Sequence, residues 1–146
     1  MNLAHLLLRS ARWQPERPAL ALGKKPVRTY REMALRVSRI SAGLRSKFGL
    51  NPADRVALAM KNGVEFYEIL FACWHAGLTA GPMNAKLHPK EFAYILENSG
   101  AKLAALLGLT PDASVLVAGS VVPYNQLSEE TQRSWLRACA GMAAAL

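Results

Sequence analysis

The chain carries only two cysteines, Cys73 and Cys139. Cys73 falls inside an apolar stretch of helical spacing, so two buried reduced thiols are expected rather than a disulfide. Long hydrophobic runs are also missing. The most apolar stretch, Ile69 to Met83, is interrupted by His75, Gly77, Gly81 and Pro82 and is too short to cross a bilayer as a helix, so no membrane span is expected. No basic segment precedes Leu6-Leu7-Leu8 and no small-residue cleavage site follows them. A secretory signal is therefore not expected, and the cytoplasm is the expected location. Low-complexity tracts and internal repeats are lacking as well, which removes the case for disorder or a solenoid.

Acidic residues are in the minority: 10 Asp and Glu stand against 18 Lys and Arg, a net charge of +8. Such a balance favours anionic partners, among them nucleic acid, a membrane surface and CoA phosphates. The basic residues are scattered, however, through Arg9, Arg12, Arg28, Arg31, Arg36, Arg39, Arg45 and Lys47. There is no dense run and no aromatic interleaving to stack bases, so they read as solvated helix faces and no nucleic-acid partner is expected.

The common catalytic signatures are absent too. Ser120 has no G-x-S-x-G turn around it, and the chain contains neither G-x-G-x-x-G nor H-E-x-x-H,. His5, His75 and His88 fall on separate elements. Cys73 and His75, two apart on one helix, diverge rather than converge, so no metal site is expected.

What is present is a chain of 146 residues with 51% hydrophobic content, long enough for one domain with its own core,. Asn2 is a plausible N-cap for a helix in which Leu3, Leu6, Leu7 and Ala11 line one face until Pro15. Ala19 to Leu22 and Pro26 to Thr29 flank Gly23-Lys24-Lys25 and read as a hairpin. Met33, Val37, Ile40, Leu44 and Phe48 then recur at helical spacing, with Glu32, Arg36 and Arg39 on the other side and Gly49 as terminator.

A turn at Asn51-Pro52-Ala53-Asp54 leads into a short strand from Arg55 to Met60. The next helix, Val64 to Ala76, is apolar nearly all round and leaves only a stripe of Glu65, Glu68 and His75. That stripe reads as the wet edge of a mostly buried helix rather than a paired-carboxylate site. Gly77 ends the helix, Leu78 to Pro82 reads as a buried strand, and Pro89 opens a helix with Phe92, Ile95 and Leu96 that closes near Gly100. Further strands are expected at Lys102 to Leu107 and Val115 to Ala118, and a last helix from Ser128 through Trp135 and Cys139. Strands alternating with helices imply an α/β fold: a partial parallel sheet flanked by helices, with a short N-terminal β-hairpin. The order of the strands does not follow from the pattern.

Several segments, in this order, resemble the N-terminal region of the adenylate-forming acyl-CoA synthetases, aryl-CoA ligases and peptide-synthetase adenylation domains. Thr29-Tyr30-Arg31-Glu32-Met33 is similar to the family's T-Y-x-E-L, Asp54-Arg55-Val56 to G-D-R-V, and Asn62-Gly63-Val64-Glu65-Phe66 to N-x-x-E-F. Ala76 to Leu87 resembles A-G-x-x-x-x-P-x-N-x-R-L and is followed by Glu91, Tyr94, Ile95 and Leu96. The departures are Ala53 in place of Gly, Lys86 in place of Arg, and His88 near a common Thr or Ser cap.

The resemblance implies a parent enzyme that uses ATP and Mg to turn a carboxylic acid into an acyl-adenylate and then passes the acyl group to the thiol of CoA or phosphopantetheine. Its phosphate loop, Thr-Glu pair, ribose-binding Asp and C-terminal Lys have no match here. Residues 1–146 are thus expected to be the N-terminal region of the large domain, ending before the phosphate-binding loop. That region should be inactive alone, with no catalytic, cofactor-binding or metal residue of its own. Self-association through surface left uncovered is also expected. Two other readings stay open: a free-standing α/β protein-interaction module, and a basic nucleotide or nucleic-acid binder.

Overall fold

The computed structural model describes residues 2–84 and 87–105. Along them run α1 (Ala4–Trp13), β1 (Pro18–Leu22), β2 (Lys25–Thr29), α2 (Tyr30–Ser46), β3 (Arg55–Ala59), α3 (Val64–His75), β4 (Thr79–Met83), α4 (Pro89–Ser99) and β5 (Leu103–Ala105). The α/β class, the N-terminal hairpin and the parallel sheet agree with the sequence reading. The strand expected at Val115 to Ala118 and the helix from Ser128 lie outside the described residues. Contacts sort the chain into two compact units, the first built from residues 1–54 and 62–80, the second from 55–61 and from 81 onward.

In the first unit, Asn2 caps α1: its Oδ1 accepts the Ala4 N–H at 2.9 Å. Its Nδ2 also donates to the Trp74 carbonyl at 2.6 Å, so the cap tethers α1 to the end of α3. Ala4 and Leu7 are the buried residues of α1, whereas Leu3 and Leu6 are 40% and 46% exposed. The face expected to run inward through Leu3 and Leu6 therefore turns partly out. At about 100° per residue the line through Ala4, Leu7 and Ala11 is the inner one, and Leu3 and Leu6 sit to its side.

The hairpin turns on Gly23 and Lys24 alone, since Lys25 already pairs with Leu22. Gly23 has φ +58°, the positive first central residue that a two-residue II′ connection needs. β2 runs directly into α2, which starts with a capping box. Thr29 Oγ1 accepts the Glu32 N–H at 3.3 Å, and Glu32 Oε2 accepts the Thr29 N–H at 2.8 Å,. Met33, Val37, Ser41 and Leu44 form the buried line of this helix.

Helix α3 ends in a Schellman motif: the Leu78 N–H reaches the Cys73 carbonyl and the Gly77 N–H reaches that of Trp74, at 2.8 and 3.0 Å,. Gly77 adopts φ +76° to close it. The Gly77 carbonyl then accepts the N–H of Ala53, a non-glycine residue at φ +72°.

The second unit holds the strand interior. β3 lies between its neighbours in the order β4-β3-β5 and pairs in parallel with β5, Val56 opposite Leu103 and Leu58 opposite Ala105. From Val56 to Met60 no residue exceeds 4% exposure, as a central parallel strand requires. β4 does not fit the buried strand read from its composition: Thr79, Gly81 and Pro82 are exposed. Among the described residues β4 is an edge strand, where a proline without an N–H is tolerated. α4 opens at His88, whose Nδ1 accepts the Lys90 N–H at 3.3 Å while Glu91 Oε2 accepts the His88 N–H at 2.8 Å. Gly100, at φ +60°, closes it.

Candidate functional site

The most concentrated polar arrangement among the described residues lies in the first unit and centres on Glu68 of α3, which is 1% exposed. Arg28 Nε, from β2, donates to Glu68 Oε1 at 3.1 Å, and Arg36 Nε, from α2, donates to the same oxygen. Arg28 Nη1 also donates to the Val27 carbonyl at 3.0 Å, which fixes the plane of its guanidinium. Hairpin, α2 and α3 thus meet at one carboxylate oxygen. The Glu68 bond leads in holding the Arg36 guanidinium above its ordinary value, so it stays charged,. A charge this deeply buried is tolerated only when paired, and here it is paired twice.

This overturns the solvated-edge reading of Glu68. Glu65 is exposed, but Glu68 stands four residues from Val64 and four from Ala72, both buried. It therefore falls in line with the apolar stripe of α3. That alignment was visible in the sequence. What periodicity could not supply was the partners, because Arg28 and Arg36 lie 40 and 32 residues away.

His75 Nδ1 and Ser41 Oγ stand 3.0 Å apart, within the reach of a nucleophile and its base. Ser41 is 4% exposed, in the middle of α2. The pair reads as a polar lock between α2 and α3, since a nucleophile must meet its substrate. Cys73 is fully buried, and burial pushes its thiol up to about 12, so it is an inert core side chain,. Among the described residues no three His, Cys, Asp or Glu side chains gather as metal ligands.

The motif residues hold structural posts. Thr29 and Glu32 form the capping box of α2, and the Thr29 backbone N–H keeps the Glu32 carboxyl below its ordinary range. Asp54 Oδ2 accepts the Asn51 N–H at 2.8 Å and its carbonyl accepts that of Thr79 at 2.9 Å. Arg55 Nη1 donates to the Ser99 carbonyl at 3.1 Å, and Val56 is core. Gly63 is the N-cap of α3 and Gly77 its C-terminal stop. His88 occupies the place of the usual Thr or Ser and does the same work. Helix caps, a helix stop, a side-chain tie and core packing are the posts these residues hold.

A triphosphate with magnesium does not fit the described residues. The chain has no Ser/Thr/Gly-rich loop ending in Lys-Gly, and among the described residues the acidic side chains are not clustered for a metal,. No step of adenylation is therefore assigned to residues of this chain.

A family model described as AMP-binding enzyme matches residues 7–139. Feruloyl-CoA synthase of Amycolatopsis sp is 38% identical over 111 residues, covering 76% of this chain and 22% of that protein. Oxalate–CoA ligase of Arabidopsis thaliana is 36% identical over 102 residues, covering 70% and 20%. Among solved structures, a fatty acyl CoA synthetase of Mycobacterium tuberculosis superposes with a TM-score of 0.67 at 32% identity, over 72% of this chain and 21% of that one. The chain spans about a fifth of the length of these curated relatives.

Proposed function

The chain belongs to the AMP-binding enzyme family, and from that premise we propose that it is the N-terminal region of the large domain of an ATP-dependent acid–thiol ligase. In the whole protein, ATP with magnesium would activate a carboxylic acid as its adenylate, and a thiol such as CoA would then take the acyl group. The observation that carries this reading is the family match across residues 7–139. The residues of this chain contribute the frame: the caps of α2 and α4, the stop of α3, and the buried strand β3. The relatives are named for different acids, feruloyl and oxalate, so the proposal extends to carboxylic acids as a class.

The test has two arms. Grafting the matched segment into the Amycolatopsis feruloyl-CoA synthase in place of its own should leave thioester formation measurable. A chimera that folds but forms no thioester overturns the reading. The isolated chain should give no ATP–pyrophosphate exchange with a panel of aliphatic and aromatic acids. Even the low end of enzymatic acceleration needs about 8 kcal/mol of transition-state stabilisation, and no group described here is placed to supply it. Exchange that co-purifies with the chain would show that it is more than a frame.

A further inference from the structure

Helix α1 carries apolar side chains on the wrong side for a core. Its inner line is Ala4 and Leu7, with Ala11 half-buried behind them. On the outer side Leu3, Leu6 and Trp13 are 40%, 46% and 82% exposed. At about 100° per residue these three fall within one arc of the helix, Arg9 falls beside that arc, and Arg12 lies about 60° further round, beyond Arg9. Both arginines are exposed, and neither takes part in an ion pair among the described residues. No Asp or Glu occurs before Glu16, and Glu16 is engaged by Arg31 at 2.8 Å. The result is a ridge of two leucines and a tryptophan beside an unbalanced cationic edge.

We propose that this outer face of α1 docks on an anionic lipid bilayer. Leu3, Leu6 and Trp13 enter the boundary between headgroups and acyl chains, while Arg9, beside them, meets the headgroup charge and Arg12, further round, adds to the local positive potential. A helix with leucine and tryptophan on one arc and arginine next to it is suited to lying in that plane. The indole, apolar in body with one polar N–H, is the side chain that prefers this depth. No helix among the described residues is long and apolar enough to cross the membrane, so the contact is peripheral.

The charge also selects against a second copy as the occupant. Two α1 faces laid together would bring the Arg9 edges of both chains to the same seam, with no carboxylate on α1 to offset them. The net charge of +8 adds long-range attraction to an anionic surface,. The inference is independent of the acid–thiol ligase reading, and either stands or falls alone.

The experiment is co-sedimentation of the full chain with vesicles of phosphatidylcholine alone or with about 30 mol% phosphatidylserine. The chain should pellet with the anionic vesicles, only weakly with the neutral ones, and less as salt is raised. Leu6→Ser with Trp13→Ser, and separately Arg9→Gln with Arg12→Gln, should each lower the partition coefficient roughly tenfold or more. Leu22→Ser, at an apolar residue 65% exposed on the hairpin, should leave it unchanged. All these positions are exposed, so the variants should keep the wild-type circular dichroism.

Absence of binding to anionic vesicles, equal binding to neutral ones, or retention of binding in either double variant overturns the proposal. So does a loss in the hairpin variant as large as that in the helix variants. Sedimentation velocity without lipid closes the remaining route. A concentration-dependent dimer abolished by the Leu6 and Trp13 substitutions would assign the face to a second copy and overturn the lipid docking.

Discussion

Both units of the chain bury apolar residues, and they differ in what is added to that burial. In the first, helices and hairpin are also joined by directional polar bonds from side chains to residues far apart in sequence: Arg28 and Arg36 on Glu68, His75 on Ser41, Asn2 on the Trp74 carbonyl. In the second, β3 is buried through four successive apolar residues, Val56 to Ala59, and is tied to β5 by the backbone ladder. Burial tolerates sliding and repacking, whereas a bond to one carboxylate oxygen does not. In the first unit a few polar residues therefore fix the register of a buried apolar core, whereas β3 in the second relies on burial and the backbone ladder.

The sharpest way to separate the two is to remove one contact of each kind. Arg28→Ala combined with Arg36→Ala leaves Glu68 charged and unpaired inside the first unit, and should cost about 3–5 kcal/mol. Glu68→Leu removes the buried charge itself and leaves two arginines that reach water, so it should cost far less, about 1 kcal/mol. In the second unit Leu58→Ala, at a fully buried position, should cost about 2–5 kcal/mol through the cavity it leaves. Urea unfolding of the three variants checks the order. Equal losses for the double-arginine and the Glu68→Leu variants would show that the first unit does not depend on pairing.

A smaller effect tests the turn at the border of the first unit. Ala53 holds φ +72° and Gly77 holds φ +76°, and they are joined by one backbone hydrogen bond. A side chain in this region costs roughly 1–2 kcal/mol. Ala53→Gly should therefore stabilise the chain by up to about 1 kcal/mol, less the entropy that glycine adds to the unfolded state. Gly77→Ala should destabilise it by a similar amount. Its Cβ would meet the Pro52 side chain only at 3.6 Å, so conformation rather than collision sets the loss.

The smallest effects are those of pH, and both limbs belong to the first unit. The Glu32 carboxyl is lowered by the Thr29 backbone N–H. Its contribution is present above the ordinary carboxylate range and is lost as pH falls through the lowered folded value. The Cys73 thiol is pushed up to about 12. Its contribution is present below the ordinary thiol value of about 8.5 and is lost as pH rises toward 12. Glu32→Gln should flatten the acid limb of a stability–pH curve and Cys73→Ala the alkaline limb. An unchanged limb in either variant would assign the slope to other groups.

How much of this was legible in the sequence follows the same division. Helical spacing located Met33, Val37 and Leu44, and the apolar run Arg55 to Met60 located the central strand, because burial leaves a local pattern. The capping box was written in the order Thr29-Tyr30-Arg31-Glu32, yet it read first as a family motif, since a motif names residues without saying what they bond. The partners of Glu68, the exposure of β4 and the strand order were not legible. Each depends on what lies alongside in space, and periodicity is silent on that. The outward ridge of α1 was half legible: the spacing marked Leu3 and Leu6 as a line of apolar residues, and only the packing of Ala4 and Leu7 shows that the line faces out.

The shared oxygen of Glu68 has a further consequence, in time rather than in space. A ribosome adds about 5–20 residues per second, so Arg28 and Arg36, 40 and 32 residues before Glu68, are synthesised seconds before the carboxylate that joins them. Until then the hairpin and α2 can form their local hydrogen bonds, but the two guanidiniums stay hydrated. The arrival of α3 is the event that pairs them, burying the Glu68 carboxylate while both guanidiniums keep an edge in water, and it makes the closure of the first unit a step timed by translation.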